Sequence, residues 1–428
     1  GFPISKTWFS IISSIMAIGA LIASFFIGYI VDNWGRKQAM WLLCIPSLIG
    51  WGCIIWAESE IMFCVGRFIC GISAGGWCIV VPLYTNEFST VDLRGTLGTY
   101  FQLQISSGIL YIYIVGTFVS VFWLSVSCAA IVIGYAVLLI FLPESPTFFI
   151  IKGEVEKAKS SMQWFRGRDY NIDSEIQVLK TSNDEIVSNA VPLLTAFSTP
   201  AAKKGLILGV GMMFFQQFSG VNGIIFYTAT IFKESGSTLD SHYQTIIVGV
   251  VMTISTFISS WLIERFGRRV LLLYSVIFMM VPSICLSIYF YCDTHGFNTS
   301  AFGLFPVACM CLFLISFAGG FGPIPWLYLS EIYSKQIAGY ACSVACLFNW
   351  LFVFLVTILF PLVSGYIGFA GSFGIFSIIS LVGIFFVILL VAETKGRTLE
   401  EMQLILGGQP SSSERTASME NGDKRYNH

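Results

Sequence analysis

The sequence predicts an all-α membrane protein made of two helical bundles, and three observations carry that expectation. Of its 428 residues, 56% are hydrophobic and only 11% are charged, with a mean hydropathy of +0.79. A soluble domain is nearer a quarter charged, so lipid is the solvent for most of this surface. Apolar runs of about 20 residues, the length that crosses a bilayer as a helix, recur along the chain. A charged loop pattern also recurs, displaced by 232 residues, which makes the chain an internal duplication.

Taken in order, the apolar runs occupy 8–31, 39–57, 61–84, 96–116, 119–142, 205–228, 243–263, 270–291, 301–329, 339–365 and 370–391. That is about eleven helices, an odd count that places the two termini on opposite sides. Only Lys6, Arg67 and Lys233 fall on the side of the loops at 57–61, 229–242 and 292–300. The other cations lie with 32–38, 143–204 and the tail, so that side is expected to be cytoplasmic. Asn298-Thr299-Ser300 is a glycosylation sequon in a loop that this rule places outside.

The expected division is 1–142 as a first transmembrane bundle, 143–204 as a cytoplasmic helical linker, 205–391 as a second bundle and 392–428 as a cytoplasmic tail. Within the linker, Gly153 to Phe165 and Asp173 to Lys180 mix polar and apolar residues at helical spacing, the mark of short amphipathic helices. The tail beyond Leu404 is small and polar and is expected to be disordered.

The duplication is read from its loops. Gly28, Asp32, Gly35, Arg36 and Lys37 match Ser260, Glu264, Gly267, Arg268 and Arg269. Glu87 with Arg94 is matched by Glu331, and Pro143-Glu144-Ser145 by Ala392-Glu393-Thr394. Two copies in one orientation imply bundles related by an axis along the membrane normal. If each bundle holds six helices, the first bundle here lacks its first one. The chain also begins at Gly1 with an abrupt apolar start near Trp8, so a preceding segment is expected.

Gly211 to Thr228 (GMMFFQQFSGVNGIIFYT) is the stretch with most chemistry. Gln216, Gln217, Ser219 and Asn222 lie mid-run beside Gly220 and Gly223. Amides at membrane depth are costly unless they face protein or a water-filled cavity. Glycines let a helix unwind there and offer backbone groups to a ligand. Because each amide donates and accepts, the set suits a neutral, hydroxyl-rich solute. Gln102 and Asn349 bring amides from two other runs, and Trp326 follows the helix-breaking Gly322-Pro323-Ile324-Pro325. Gln104 reads as an interhelical hydrogen bond, and the abundant aromatics, Phe226, Tyr227 and Phe317 among them, as packing.

The acidic–basic groups form a second constellation. Asp32, Arg36, Lys37, Glu87, Arg94, Glu144, Glu264, Arg268, Arg269, Glu331 and Glu393 all fall on the cytoplasmic side. Any single pair is explained by solvated loop charge, but a repeated set is expected to latch the two bundles together in one conformation and release them in another.

What is missing narrows the class further. No Asp or Glu lies deep in a run, which favours uncoupled over proton-coupled movement. The histidines, His242, His295 and His428, sit outside the runs, and neither a nucleotide loop nor a metal cluster is visible. No enzyme activity, cofactor or metal is expected. The 12 cysteines lie almost entirely in apolar runs and read as small core residues, and a net charge of −1 argues against nucleic acid as a partner.

The chain resembles the sugar-porter branch of the major facilitator superfamily, from Trp8 to about Leu406. The motifs that carry the resemblance are GYIVDNWGRK, GRFICGISAG, PLYTNEF with RGTLGTYFQ, PESP, QQFSGVN, ERFGRR, GPIPW and ETKGRT. Animal facilitative hexose carriers and insect trehalose carriers look most similar. The resemblance implies a twelve-helix, two-bundle fold in the plasma membrane, working by alternating access. It implies sugar contacts at Gln102, Gln216, Gln217, Asn222, Trp326 and Asn349, and a cytoplasmic latch at the charged residues above. Four positions depart from the pattern: Met252 where an amide is frequent, Thr147 after PESP, Ala338 where a cation follows Glu331, and Ala392 in place of a proline. The expected function is facilitative uniport of a hexose or trehalose. A proton-coupled sugar symporter is the alternative, and a non-transporting sugar sensor is the alternative from another class.

Overall fold

One glycine is all that separates the first two helices. In the computed structural model, which describes residues 5–188, 193–234, 240–297, 302–333, 337–397 and 399–407, α1 (Lys6–Trp34) ends at Gly35 and α2 (Arg36–Ile55) starts directly after it. Gly35 takes φ 101, a left-handed value that side-chain-bearing residues avoid. The duplicated loop repeats this: Gly267, at φ 89, is the only residue between α12 (Ser241–Phe266) and α13 (Arg268–Thr294).

The front half adds α3 (Glu60–Phe88), α4 (Val91–Phe118) and α5 (Val121–Phe141). Helix α3 packs between α1 and α2, and α5 packs on α2. Gly71 and Gly75 allow α3 to approach α1 closely, because a methyl group at either would overlap the α1 backbone at Met16 or Ala20. Outward-facing positions are apolar; Phe25, Trp56 and Leu138 are all well exposed, as lipid-facing side chains should be.

The linker is helical, with α6 (Pro146–Ile151), α7 (Val155–Arg166), α8 (Asp173–Ser188) and α9 (Leu193–Ser198). The two expected amphipathic helices are α7 and α8. Their apolar faces bury Ala158, Met162 and Ile176 against Ile150 and Ile172. Arg166 donates to the Phe88 carbonyl at 2.8 Å and to Glu175 at 2.9 Å, and Phe165 stacks on Phe88 with centroids 4.6 Å apart. These contacts fasten the linker to the end of α3.

The back half holds α10 (Pro200–Phe218), α11 (Val221–Glu234), α12, α13, α14 (Phe305–Ala318), α15 (Ile324–Ile332), α16 (Ala338–Leu390) and the short α17 (Leu399–Ile405). Among the described residues, eight helices are each long and apolar enough to cross a membrane. The expected runs differ from this in three places. The run at 205–228 is two helices, α10 and α11, which meet at Ser219-Gly220. The run at 301–329 is likewise α14 and α15, parted at 319–323, where Pro323 and Pro325 cannot continue a ladder. Conversely, 339–365 and 370–391 run on as one helical ladder of 53 residues, kinked where Gly368 takes φ 71 and ψ 174.

Two seams join the halves. α1 packs along α16, with Ser24 Oγ 3.6 Å from Cys346 Sγ. α4 packs along α12, where Ser106 Oγ lies 3.1 Å from Thr256 Oγ1 and Thr253 donates to the Ser106 carbonyl. At the end remote from the linker, Phe9 meets Tyr227 edge-on and Tyr113 donates to the Ile225 carbonyl.

Candidate functional site

The break between α10 and α11 exists because of Gly220. Its φ of 97 is left-handed, and any Cβ there would overlap the Phe376 ring. Ending α10 at this point sets Gln216 and Gln217 in its last turn, both buried, and Asn222 in the first turn of α11.

Gln216 is the hub of what forms there. Its Nε2 donates to the carbonyls of Phe321 at 2.7 Å and Gly322 at 3.0 Å. Its Oε1 accepts from Gln217 Nε2 at 3.1 Å and from Asn349 Nδ2 at 2.9 Å. A side-chain amide has two donor hydrogens and two acceptor lone pairs, so Gln216 is fully occupied in this conformation. Asn222 donates to Gln217 Oε1, and Asn349 Nδ2 also lies 3.3 Å from Met213 Sδ. Hydrogen-bonding capacity is left on Gln217, on Asn222 and on the Asn349 oxygen. One network thus unites four of the six expected amide and indole positions, drawn from α10, α11 and α16.

Gln102 and Trp326 stand outside that network. Gln102 is buried on α4, and its side chain makes no hydrogen bond among the described residues. Trp326 lies in the first turn of α15, half-buried against the core of the back half. Met252, where an amide was noted as frequent, is a buried core residue of α12.

Sequence reasoning missed the carbonyl partners. Phe321 and Gly322 have free carbonyls because the helix is broken there, a signal that Gly319-Gly320 and the two prolines did carry. Ser275, which accepts from the Phe321 N–H at 3.0 Å, left no signal of its own.

The charged residues form two clusters that are near copies. In the front half, Glu144 Oε1 and Oε2 accept from the backbone N–H groups of Arg36 and Lys37 at 3.0 Å, at the start of α2. Gly35 leaves room for that carboxylate, and the N-terminus of a helix is where an anion is favoured. Arg36 donates through Nε and Nη2 to Glu87 Oε1, at 3.1 and 2.7 Å, and Ser145 Oγ donates to Glu87 Oε2. In the back half, Glu393 accepts from the N–H groups of Arg268 and Arg269 at 2.9 and 3.0 Å. Arg268 donates to Glu331 Oε1 at 3.1 and 2.8 Å, and Thr394 Oγ1 donates to Glu331 Oε2. Lys37 and Arg269 reach the last turns of α5 and α16, at the Ile140 and Ile388 carbonyls. The hydroxyls of Ser145 and Thr394 are members that the sequence reading overlooked.

The ion pairs of the two clusters, Arg36–Glu87 and Arg268–Glu331, each close within one half. A latch between the bundles is expected in only one of the two conformations, and these pairs are the contacts that each half makes on its own. Asp32 is exposed, the side chains of Arg94 and Glu264 lie outside the described residues, and so does Asn298.

Burial pushes the Glu393 carboxyl up, but the N–H groups of Lys395, Arg268, Arg269 and Thr394 outweigh it and hold it below its ordinary 4.5. A depressed value means the unfolded chain binds the proton more readily. Its contribution is therefore present above the unfolded value and is lost as pH falls through the lower folded one. The unfolding midpoint of purified protein should fall as pH drops below 4.5, and Glu393→Gln should flatten that dependence. An unchanged pH profile in the variant would show that the carboxylate is not held this way.

Comparison with known proteins gives a consistent picture. The family model described as "Sugar (and other) transporter" matches residues 3–406. A facilitated trehalose transporter Tret1-2 homolog of Drosophila sechellia is 37% identical over 410 residues, covering 95% of this chain and 84% of that protein. The facilitated trehalose transporter Tret1 of Bombyx mori is 36% identical over 404 residues, covering 94% and 79%. Among solved structures, the proton:xylose symporter XylE bound to 6-bromo-6-deoxy-D-glucose superposes with a TM-score of 0.80 over 94% of this chain and 90% of that one. Its 24% identity makes it evidence for the fold. XylE in its inward-open conformation gives a TM-score of 0.76 at 23% identity, covering 93% and 89%.

Proposed function

Because the chain belongs to the sugar transporter family, with the major facilitator fold, and is a membrane transporter of sugar, not an enzyme, we propose that it is a uniporter for trehalose or a hexose. The observation that carries this reading is the amide network around Gln216. It offers donors and acceptors without a formal charge, which matches a polyhydroxylated neutral solute. Uniport is favoured because the acidic side chains described in the spanning helices, such as Glu60 and Glu87, sit at helix ends, where they are poorly placed to load a proton at the sugar. Trehalose enters as a candidate from the names of the relatives.

In this reading Gln217, Asn222 and Asn349 hold the sugar directly, with Gln102 on the opposite wall and Trp326 packing beside it. The halves, 1–142 and 205–391, rock along the α1/α16 and α4/α12 seams. The paired charge clusters stiffen the linker-bearing end of each half so that it moves as one body. That end, with the tail from 392 onward, faces the cytoplasm, and the protein works in the plasma membrane. The contacts of Phe9 and Tyr113 tie the halves together at the opposite end.

The test is uptake of radiolabelled sugar into liposomes carrying the purified protein. Saturable uptake of trehalose or glucose, unchanged when a proton gradient is imposed or collapsed, is the expected result. Proton movement stoichiometric with sugar would replace uniport by symport. Absence of uptake for trehalose, glucose and fructose alike would overturn transport as the activity.

A further inference from the structure

We propose that Ser275 of α13 is a positioning residue for the sugar site, acting through the unwound segment between α14 and α15. The inference rests on the reading that the Gln216 network binds the sugar. Ser275 is fully buried, and its Oγ accepts the Phe321 N–H at 3.0 Å. Phe321 and Gly322 are the residues whose carbonyls take both amide hydrogens of Gln216. A break in a helix frees N–H and carbonyl groups that lipid cannot satisfy, so each must find a partner inside the protein. Here the carbonyls of the break go to Gln216 and the N–H of Phe321 goes to Ser275. The segment is thereby tied on one side to α13 and on the other to α10.

Close packing at the preceding residue, Gly320, reinforces the tie. A methyl group at Gly320 would lie 2.5 Å from both the Leu271 carbonyl oxygen and the Ser275 Cβ, so the segment rests directly on α13. Glycine permits the approach, and the serine holds the Gly320–Phe321 peptide, whose own carbonyl accepts from the Ile324 N–H at 3.0 Å. With that peptide pinned at both its N–H and its carbonyl, Phe321 is anchored and presents its own carbonyl, in the next peptide unit, to Gln216. Since Gln216 is saturated, its orientation fixes Gln217 and Asn349 in turn. The free donors and acceptors offered to the sugar are therefore set from a helix that need not touch it.

Removing the hydroxyl should loosen the site while leaving the transport cycle intact. For Ser275→Ala, the Michaelis constant for sugar uptake by the full chain in liposomes should rise about five- to tenfold, with the maximal rate within about twofold of wild type, as loss of one buried acceptor partner implies. Ser275→Cys keeps the volume with a weaker acceptor, so its Michaelis constant should fall between the two. Stabilisation of the purified protein by saturating sugar, read as a rise in unfolding midpoint at fixed sugar concentration, should shrink in the same order.

A Michaelis constant unchanged in Ser275→Ala overturns the proposal. So does a loss confined to maximal rate and protein yield, which would mark Ser275 as a structural residue only. Wild-type protein in the same assay separates this from the function itself. If wild type shows no saturable uptake, the sugar reading fails, whereas wild-type uptake with an indifferent Ser275→Ala sinks only the positioning role.

Discussion

Gln216→Ala should reduce sugar uptake efficiency by roughly a hundredfold or more while surface expression stays near wild type. The truncation removes four hydrogen bonds at once. It leaves the Phe321 and Gly322 carbonyls and the Asn349 and Gln217 amides to find other partners. Each buried polar group left unpaired costs about 1–3 kcal/mol, and about 1.4 kcal/mol corresponds to a factor of ten. Two or more such losses at the site therefore reach the hundredfold scale even if water enters to offset part of them. The comparison is initial uptake of labelled sugar against biotinylated surface protein in the same cells. Uptake within about twofold of wild type would remove Gln216 from the site and, with it, the central member of the proposed network.

Arg36→Ala should have the largest effect on stability. Its side chain is 5% exposed and that of Glu87 is 10% exposed, and the pair closes at 2.7 Å. Removing the guanidinium leaves the Glu87 carboxylate in a poorly solvated place with only Ser145 in contact. Breaking one partner of such a pair costs about 3–5 kcal/mol, far more than a surface ion pair contributes. The same change also removes the donor that reaches back to the Val31 carbonyl across the Gly35 joint. A fall of several degrees in the unfolding midpoint of purified protein is expected, with a smaller fall for Arg36→Lys, which keeps the charge but loses the planar set of donors. A midpoint within one degree of wild type, measured at near-neutral pH, would mean that the cluster does not hold the front half together.

Much of the site was legible before folding because its members are chemically conspicuous. An amide is out of place in an apolar run, so Gln216, Gln217, Asn222 and Asn349 announced themselves, and the fold brings them into one network. The charged loops were visible for the same reason, and their duplication gave the correspondence that the structure repeats bond for bond at Arg36 and Arg268. Legibility failed where a group is ordinary in sequence but special in place. Ser275 is one of many serines in apolar helices, most of which donate to a carbonyl one turn back. Nothing local says that this one accepts from the break between two neighbouring helices. Backbone carbonyls have no sequence signature at all, so the acceptors at Phe321 and Gly322 could be found only once the break was located.

Composition, run length and repeat therefore determined by themselves that this chain is a helical membrane protein of two related halves, with polar groups gathered at mid-membrane. Those properties depend on the solvent and on local periodicity, which any stretch of sequence carries within itself. The tertiary structure decided which amide is saturated and which keep unused donors and acceptors, and it closed the Arg36–Glu87 and Arg268–Glu331 pairs each within its own half. Both depend on distances of about 3 Å between residues far apart in the chain, as between Gln216 and Asn349 at 2.9 Å. A hydrogen bond forms or fails over a few tenths of an ångström, and only the packing of whole helices sets a distance that finely.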